Sequence, residues 1–173
     1  MNMEVRMKKI VSILLVIGTL FMFTGCGKET TPDNNDNNQN QTPTTNLTLT
    51  PTEIVQKMYE GFGEDELPML GDRELVAEEL EYNLGLTELN FKEGVVNEPM
   101  MGSIAHSVVV VRVNEGVDVE ATVADIKAKV NPRKWVCVEA ETVLVESKGD
   151  IIVLVMSNND TATRMMDNFK KLN

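Results

Sequence analysis

Five valines fall between residues 108 and 113, and this run constrains the fold more than any other feature of the chain. β-Branched side chains favour extended backbone, in which successive residues point to opposite faces. A half-solvated strand would alternate apolar with polar residues. This one does not, so Ile104 to Val113 reads as a strand buried on both faces at its middle. Phe91 to Glu98 reads as a strand before it, across the turn Pro99, Met100, Met101, Gly102. Two more strands follow, near Val136 to Glu146 and Ile151 to Ser157, joined as a hairpin by the tight turn Ser147 to Asp150.

Helical spacing fills the intervals. Asp118 caps a helix near 118 to 130 whose Val119, Val123, Ile126 and Val130 form an inward stripe, and Pro132 closes it. A last helix from about 160 to 171 turns Ala162, Met165, Met166, Phe169 and Leu172 to the core. The order ββαββα predicts an α+β fold: a two-layer domain with a four-stranded antiparallel or mixed sheet and helices packed on one face. One or two helices precede it. Thr50, Pro51 and Glu53 form a capping box for a helix over 51 to 61 with Ile54, Val55, Met58 and Phe62 on one face. Glu64 to Asp72 reads as loop. Asp72 is then expected to cap a second helix, through Asn83, that Gly85 stops.

This domain spans residues 51 to 173. Residues 26 to 50 are nearly all Asn, Gln, Thr, Asp and Pro after the cysteine, too polar to offset their ordering entropy, and are expected as a disordered spacer. Residues 1 to 25 have the layout of a lipoprotein signal peptide: Arg6, Lys8 and Lys9, then an uncharged run from Ile10 to Gly25. That run is 16 residues, short of the roughly 20 needed to cross a hydrocarbon core. It ends in Phe23, Thr24, Gly25, Cys26, a lipobox-like stretch, so Cys26 is the expected lipidation site. Two or three acyl chains would hold the domain at the extracytoplasmic face of the cell membrane.

Charge and chemistry narrow the function by exclusion. The net charge of −11 becomes −13 once residues 1 to 25, with three basic groups and one acid, are removed. Such a chain has no electrostatic footprint for nucleic acid or bare anionic lipid. His106 is the only histidine, which disfavours multi-histidine metal sites and reads as a half-exposed strand position. The acids Glu64 to Glu66 and Glu78 to Glu81 do not follow the spacing of a calcium loop. Cys137, between Val136 and Val138, is expected as a small buried residue. No phosphate loop, nucleophile elbow or Cys-x-x-Cys occurs, so neither an enzyme nor a cofactor is expected. Met100 and Met101 stand out, two large flexible apolar residues in a turn; with His106 they form the candidate binding patch. Neighbours in extended backbone point to opposite sides, so one methionine is expected buried and the other exposed.

From about residue 84 to 172 the chain resembles a family of small lipoproteins from Gram-positive bacteria, defined by a domain of unknown function. The resemblance rests on the strand into Pro99, Met100, Met101, the strand Ser107 to Val113, the helix of residues 118 to 130, Glu139 to Gly149 running into Ile151 to Ser157, and the terminal helix. It implies a lipid anchor and no particular activity. The leading expectation is therefore a membrane-anchored extracytoplasmic lipoprotein that binds an envelope protein or other envelope component without catalysis. The alternative is a small-molecule or peptide-binding lipoprotein associated with a transporter.

Overall fold

The computed structural model describes residues 46 to 63 and 65 to 173; the expected signal peptide, the expected lipidation site Cys26 and the expected spacer up to residue 45 lie outside the described residues. Helix α1, Pro51–Met58, begins as expected. Thr50 Oγ1 accepts from the Glu53 amide at 3.3 Å while Glu53 accepts from the Thr50 amide at 2.8 Å, closing the capping box. Strand β1, Leu70–Glu74, follows, then a 3₁₀ turn at Ala77–Glu79 and the short helix α2, Leu80–Leu84. Gly85 ends α2 in the left-handed region at φ 72°. Next come β2 (Phe91–Pro99), β3 (Ser107–Val113), α3 (Val119–Lys129), β4 (Thr142–Lys148), β5 (Ile151–Ser157) and α4 (Asn159–Lys171). Asp118 and Asn158 cap α3 and α4 through their side chains. Among the described residues no helix is long and apolar enough to cross a membrane.

The fold is α+β, and its sheet has five strands, not four, all antiparallel, in the order β1-β2-β3-β5-β4. The extra strand is β1, whose sequence Leu-Gly-Asp-Arg-Glu carries no β signal. Pairing with β2 overrides that weak propensity. Gly94 of β2 favours it: a Cβ there would lie 3.0 Å from the Leu75 side chain, so glycine lets Leu75 pack closely on the sheet. Asp72 is consequently a strand residue opposite Asn97 and caps nothing.

Helices cover both faces, which corrects the expectation of two layers. Val109, Val111 and Val113 of β3, with Ile152, Leu154 and Met156 of β5, face α2 and α3. The alternate residues Val108 and Val110, with Ile151, Val153 and Val155, face α1 and α4. Every residue of β3 and of β5 is buried. The physical reason is the one read from the valine run: a strand without polar alternation needs an apolar layer on each side. One layer of helices would have left half of it in water.

The packed chain also starts earlier than residue 51. Leu47, within the stretch expected as spacer, is 2% exposed and joins the α1/α4 core. Burying a leucine is worth about 1.5–3 kcal/mol, enough to offset the ordering of its own backbone. The Leu49 carbonyl accepts from Arg112 Nη2 at 2.6 Å, and Arg112 also binds Glu93 and Asp150. Residues 46 to 50 are thereby fastened where β2 and β5 begin and β3 ends.

At the other end of the sheet, the strand expected from Val136 begins only at Thr142. Residues 131 to 141 instead form a loop, tied by the Ala140 amide to the Pro132 carbonyl at 2.9 Å and by the Val136 amide to the Gly102 carbonyl at 3.3 Å. Cys137, expected buried, is exposed there with φ 61°.

Candidate functional site

The end of the sheet far from Leu47, where β2 and β5 finish and β3 begins, gathers most of the buried polar side chains. Asn83, Asn97, His106, Ser107, Ser157 and Thr161 all cluster around it. Strand alternation sends them to opposite faces: Ser107 and Glu98 toward α2, His106, Asn97 and Ser157 toward α1 and α4.

On the α1/α4 face a chain of hydrogen bonds runs from Asp72 to Ser157. Asn97 Nδ2 donates to Asp72 Oδ1 at 2.6 Å, which leaves Asn97 Oδ1 as an acceptor. The Tyr59 hydroxyl donates to it at 2.6 Å. Its oxygen therefore accepts from His106 Nε2 at 2.7 Å, and His106 Nδ1 is left to accept from the Ser157 hydroxyl at 2.9 Å. Burial lowers the His106 pKa to about 4, against an opposing pull from Glu98. Burial likewise raises the Tyr59 phenol above its ordinary value, with Asp72 adding to the shift. A serine hydroxyl on an imidazole is the pairing that nucleophilic catalysis uses. Here both members are buried, both imidazole nitrogens are engaged, and the ring is a weak base.

On the opposite face sits a lysine. The Lys134 side chain is 1% exposed, with Nζ 2.6 Å from Glu98 Oε1, 3.1 Å from Ser107 Oγ and 3.3 Å from Asn83 Oδ1. Nζ also lies 4.8 Å from the Tyr82 ring centroid and 5.4 Å from that of Trp135. Burial pulls the Lys134 pKa down, and Glu98 opposes it. Burial pushes the Glu98 carboxyl up, but hydrogen bonding and charge from Lys134, with help from Ser107 and Arg73, hold it below its ordinary range. Arg73 ties the network to β1 through Glu79, Asn83 and Glu98. An ammonium so enclosed fixes the 131–141 loop to the sheet.

Four large apolar side chains lie exposed at this end of the sheet. Met69, Met100, Met101 and Val136 are 78%, 76%, 63% and 73% exposed. They are neighbours: the Met100 amide donates to the Met69 carbonyl at 3.3 Å, and the Val136 amide reaches Gly102 in the same turn. Both methionines of the pair thus face solvent, correcting the expectation that one is buried. A turn closed by Pro99 leaves the strand before either side chain can enter the sheet. His106, expected half-exposed, is buried instead. It lines a separate cavity of about 330 Å³ with Ser157, Thr161, Ile104 and Val138, and neither Met100 nor Met101 borders that space. The three residues of the expected patch share one end of the sheet but not one pocket.

Tyr59, Ser157, Lys134 and Glu98 were not singled out from sequence. Lys134 carried a faint signal, a cation next to the sole tryptophan, but the partners of all four come from distant segments. Among the described residues no group of three or more His, Cys, Asp or Glu is arranged to hold a metal ion. No family model, curated protein or solved structure matches the chain.

Proposed function

We propose that the chain is a lipoprotein anchored through Cys26 at the extracytoplasmic face of the cell membrane, whose domain binds an envelope protein without catalysis. The observation that carries this reading is the exposed cluster of Met69, Met100, Met101 and Val136 at one end of the sheet. Large apolar side chains left together in water mark interaction sites, and methionine adapts to irregular partners. Their position supports the reading as well. The chain enters the domain at Leu47 and Leu49, beside Arg112, while the cluster lies past the last residue of β2. Nine strand residues separate the two ends, about 30 Å at roughly 3.3 Å per residue. At the far end from the tether, the cluster is not obstructed by the chain's own point of entry.

A second reading, a small-molecule or peptide binder working beside a transporter, draws on the His106 cavity, which is concave and lined by apolar and a few polar groups.

Crosslinking in native membranes tests the first. The wild-type chain is expected to capture a partner that the combined Met69→Ser, Met100→Ser, Met101→Ser variant loses, with fatty-acid labelling abolished by Cys26→Ser. Undiminished capture by the triple variant would refute the role of the cluster, and label on Cys26→Ser would refute the anchor.

A further inference from the structure

The free edge of β1 extends the apolar cluster into a strand-binding surface, and we infer that its occupant is an extended cationic protein segment with an apolar end. The inference rests on the reading of this end as a partner surface.

Register supplies the first part of the argument. The Leu75 amide bonds to Gly94 and the Met100 amide to Met69, so residues 69, 71, 73 and 75 direct their backbone groups at β2. Leu70, Asp72 and Glu74 direct theirs outward. β1 ends the sheet on this side, and among the described residues no protein group bonds those outward amides and carbonyls. A row of unpaired donors and acceptors at strand spacing is a template for one more strand.

Charge complementarity names the occupant. Between residues 65 and 81 the sequence carries seven acidic side chains and one basic one. That one, Arg73, turns its guanidinium inward to Glu79, Asn83 and Glu98. Asp72 and Glu74 lie on one face of β1, both exposed. An added strand would set its alternate side chains opposite Asp72 and Glu74, where basic residues pair and acidic ones repel. At the Leu70 end the same strand runs onto Met69 and Met100, which favours an apolar residue. Backbone bonds then give affinity while alternation and the apolar end give selectivity.

The probe is a blocked decapeptide of alternating lysine and threonine closing with two leucines, which in an antiparallel strand fall at the Leu70 end, added to the full-length chain. Amide exchange at Leu70, Asp72 and Glu74 is expected to slow by on the order of tenfold at saturation. The same peptide with glutamate for lysine should leave it unchanged. Glu74→Pro removes an outward donor without touching the ladder to β2, and should abolish the effect. If that variant fails to fold, Asp72→Lys with Glu74→Lys should reverse the preference between the two peptides. Protection at β4, no protection anywhere, or equal binding of both peptides would overturn the inference. Protection confined to Met69, Met100 and Met101 would overturn strand addition and leave the partner surface standing; loss of partner capture on mutating the methionines but not Glu74 would do the same.

Discussion

Tyr59 at the C-cap of α1 and His106 at the head of β3 are joined by a hydrogen bond of 2.7 Å across 47 residues of sequence. The phenol donates to Asn97, so the imidazole must donate to the phenol, and it does so as a neutral ring.

This neutrality makes stability depend on pH. The His106 pKa is depressed in the folded chain, to about 4, against roughly 6.5 when unfolded. Between those values the unfolded chain takes up a proton that the folded one refuses, so stability is lost as pH falls from about 6.5 toward 4 and is indifferent to this group above 7. The loss by pH 5 should be about 2 kcal/mol. Urea denaturation of wild type and His106→Gln at pH 7.5 and 5 measures it. Equal pH dependence in both would contradict the neutral ring.

The buried pair on the other face predicts non-additivity. Lys134→Met leaves the Glu98 carboxylate, at 18% side-chain exposure, with Arg73 as its remaining cationic partner at 3.2 Å, and should cost about 3 kcal/mol. Adding Glu98→Gln removes the under-compensated charge and should recover much of that loss. A double-mutant cycle by chemical denaturation reads the coupling; strictly additive effects would mean that the pair is not closed in solution.

Cys137 holds φ 61° in an exposed loop, where a side chain contributes strain and little packing. Cys137→Gly relieves that strain, and the gain should exceed the entropy glycine adds to the unfolded chain. The midpoint of thermal unfolding should rise by a few degrees, and a fall would show that the thiol packs more closely than its exposure indicates.

The helices α1 and α3 were legible because their start signals are local: Thr50 with Glu53, and Asp118, act within three or four residues, while α4 was legible from the helical spacing of its apolar residues. Buried strands were legible from valine and isoleucine runs. What eluded sequence was decided at a distance. β1 is held by its ladder to β2, with Gly94 leaving room for Leu75 beside it, and no pattern within residues 70 to 74 announces it. The second layer of helices was implied by the valine run itself, since Val108 and Val109 face opposite cores, but the number of helices available did not say which face each would take. The candidate site followed the same division. Met100 and Met101 stand out in a string of letters, whereas the partners of His106 come from α1 and β5.

Leu47 and the two methionines reverse the roles that their sequence contexts suggest, and truncation should expose the reversal. Leu47 lies in a polar stretch yet is buried against α1 and α4, so Leu47→Ala removes buried methylenes and leaves a cavity, costing about 2–5 kcal/mol. Met100 and Met101 are large apolar residues yet are mostly in water, so Met100→Ala and Met101→Ala should each change stability by less than about 0.5 kcal/mol. The comparison is internal, because all three changes delete side chains of similar size and differ only in what surrounds them. Chemical denaturation of the three single variants decides it. A loss at either methionine as large as that at Leu47 would mean that the side chain is covered in solution, and would remove the exposed cluster on which the binding role rests.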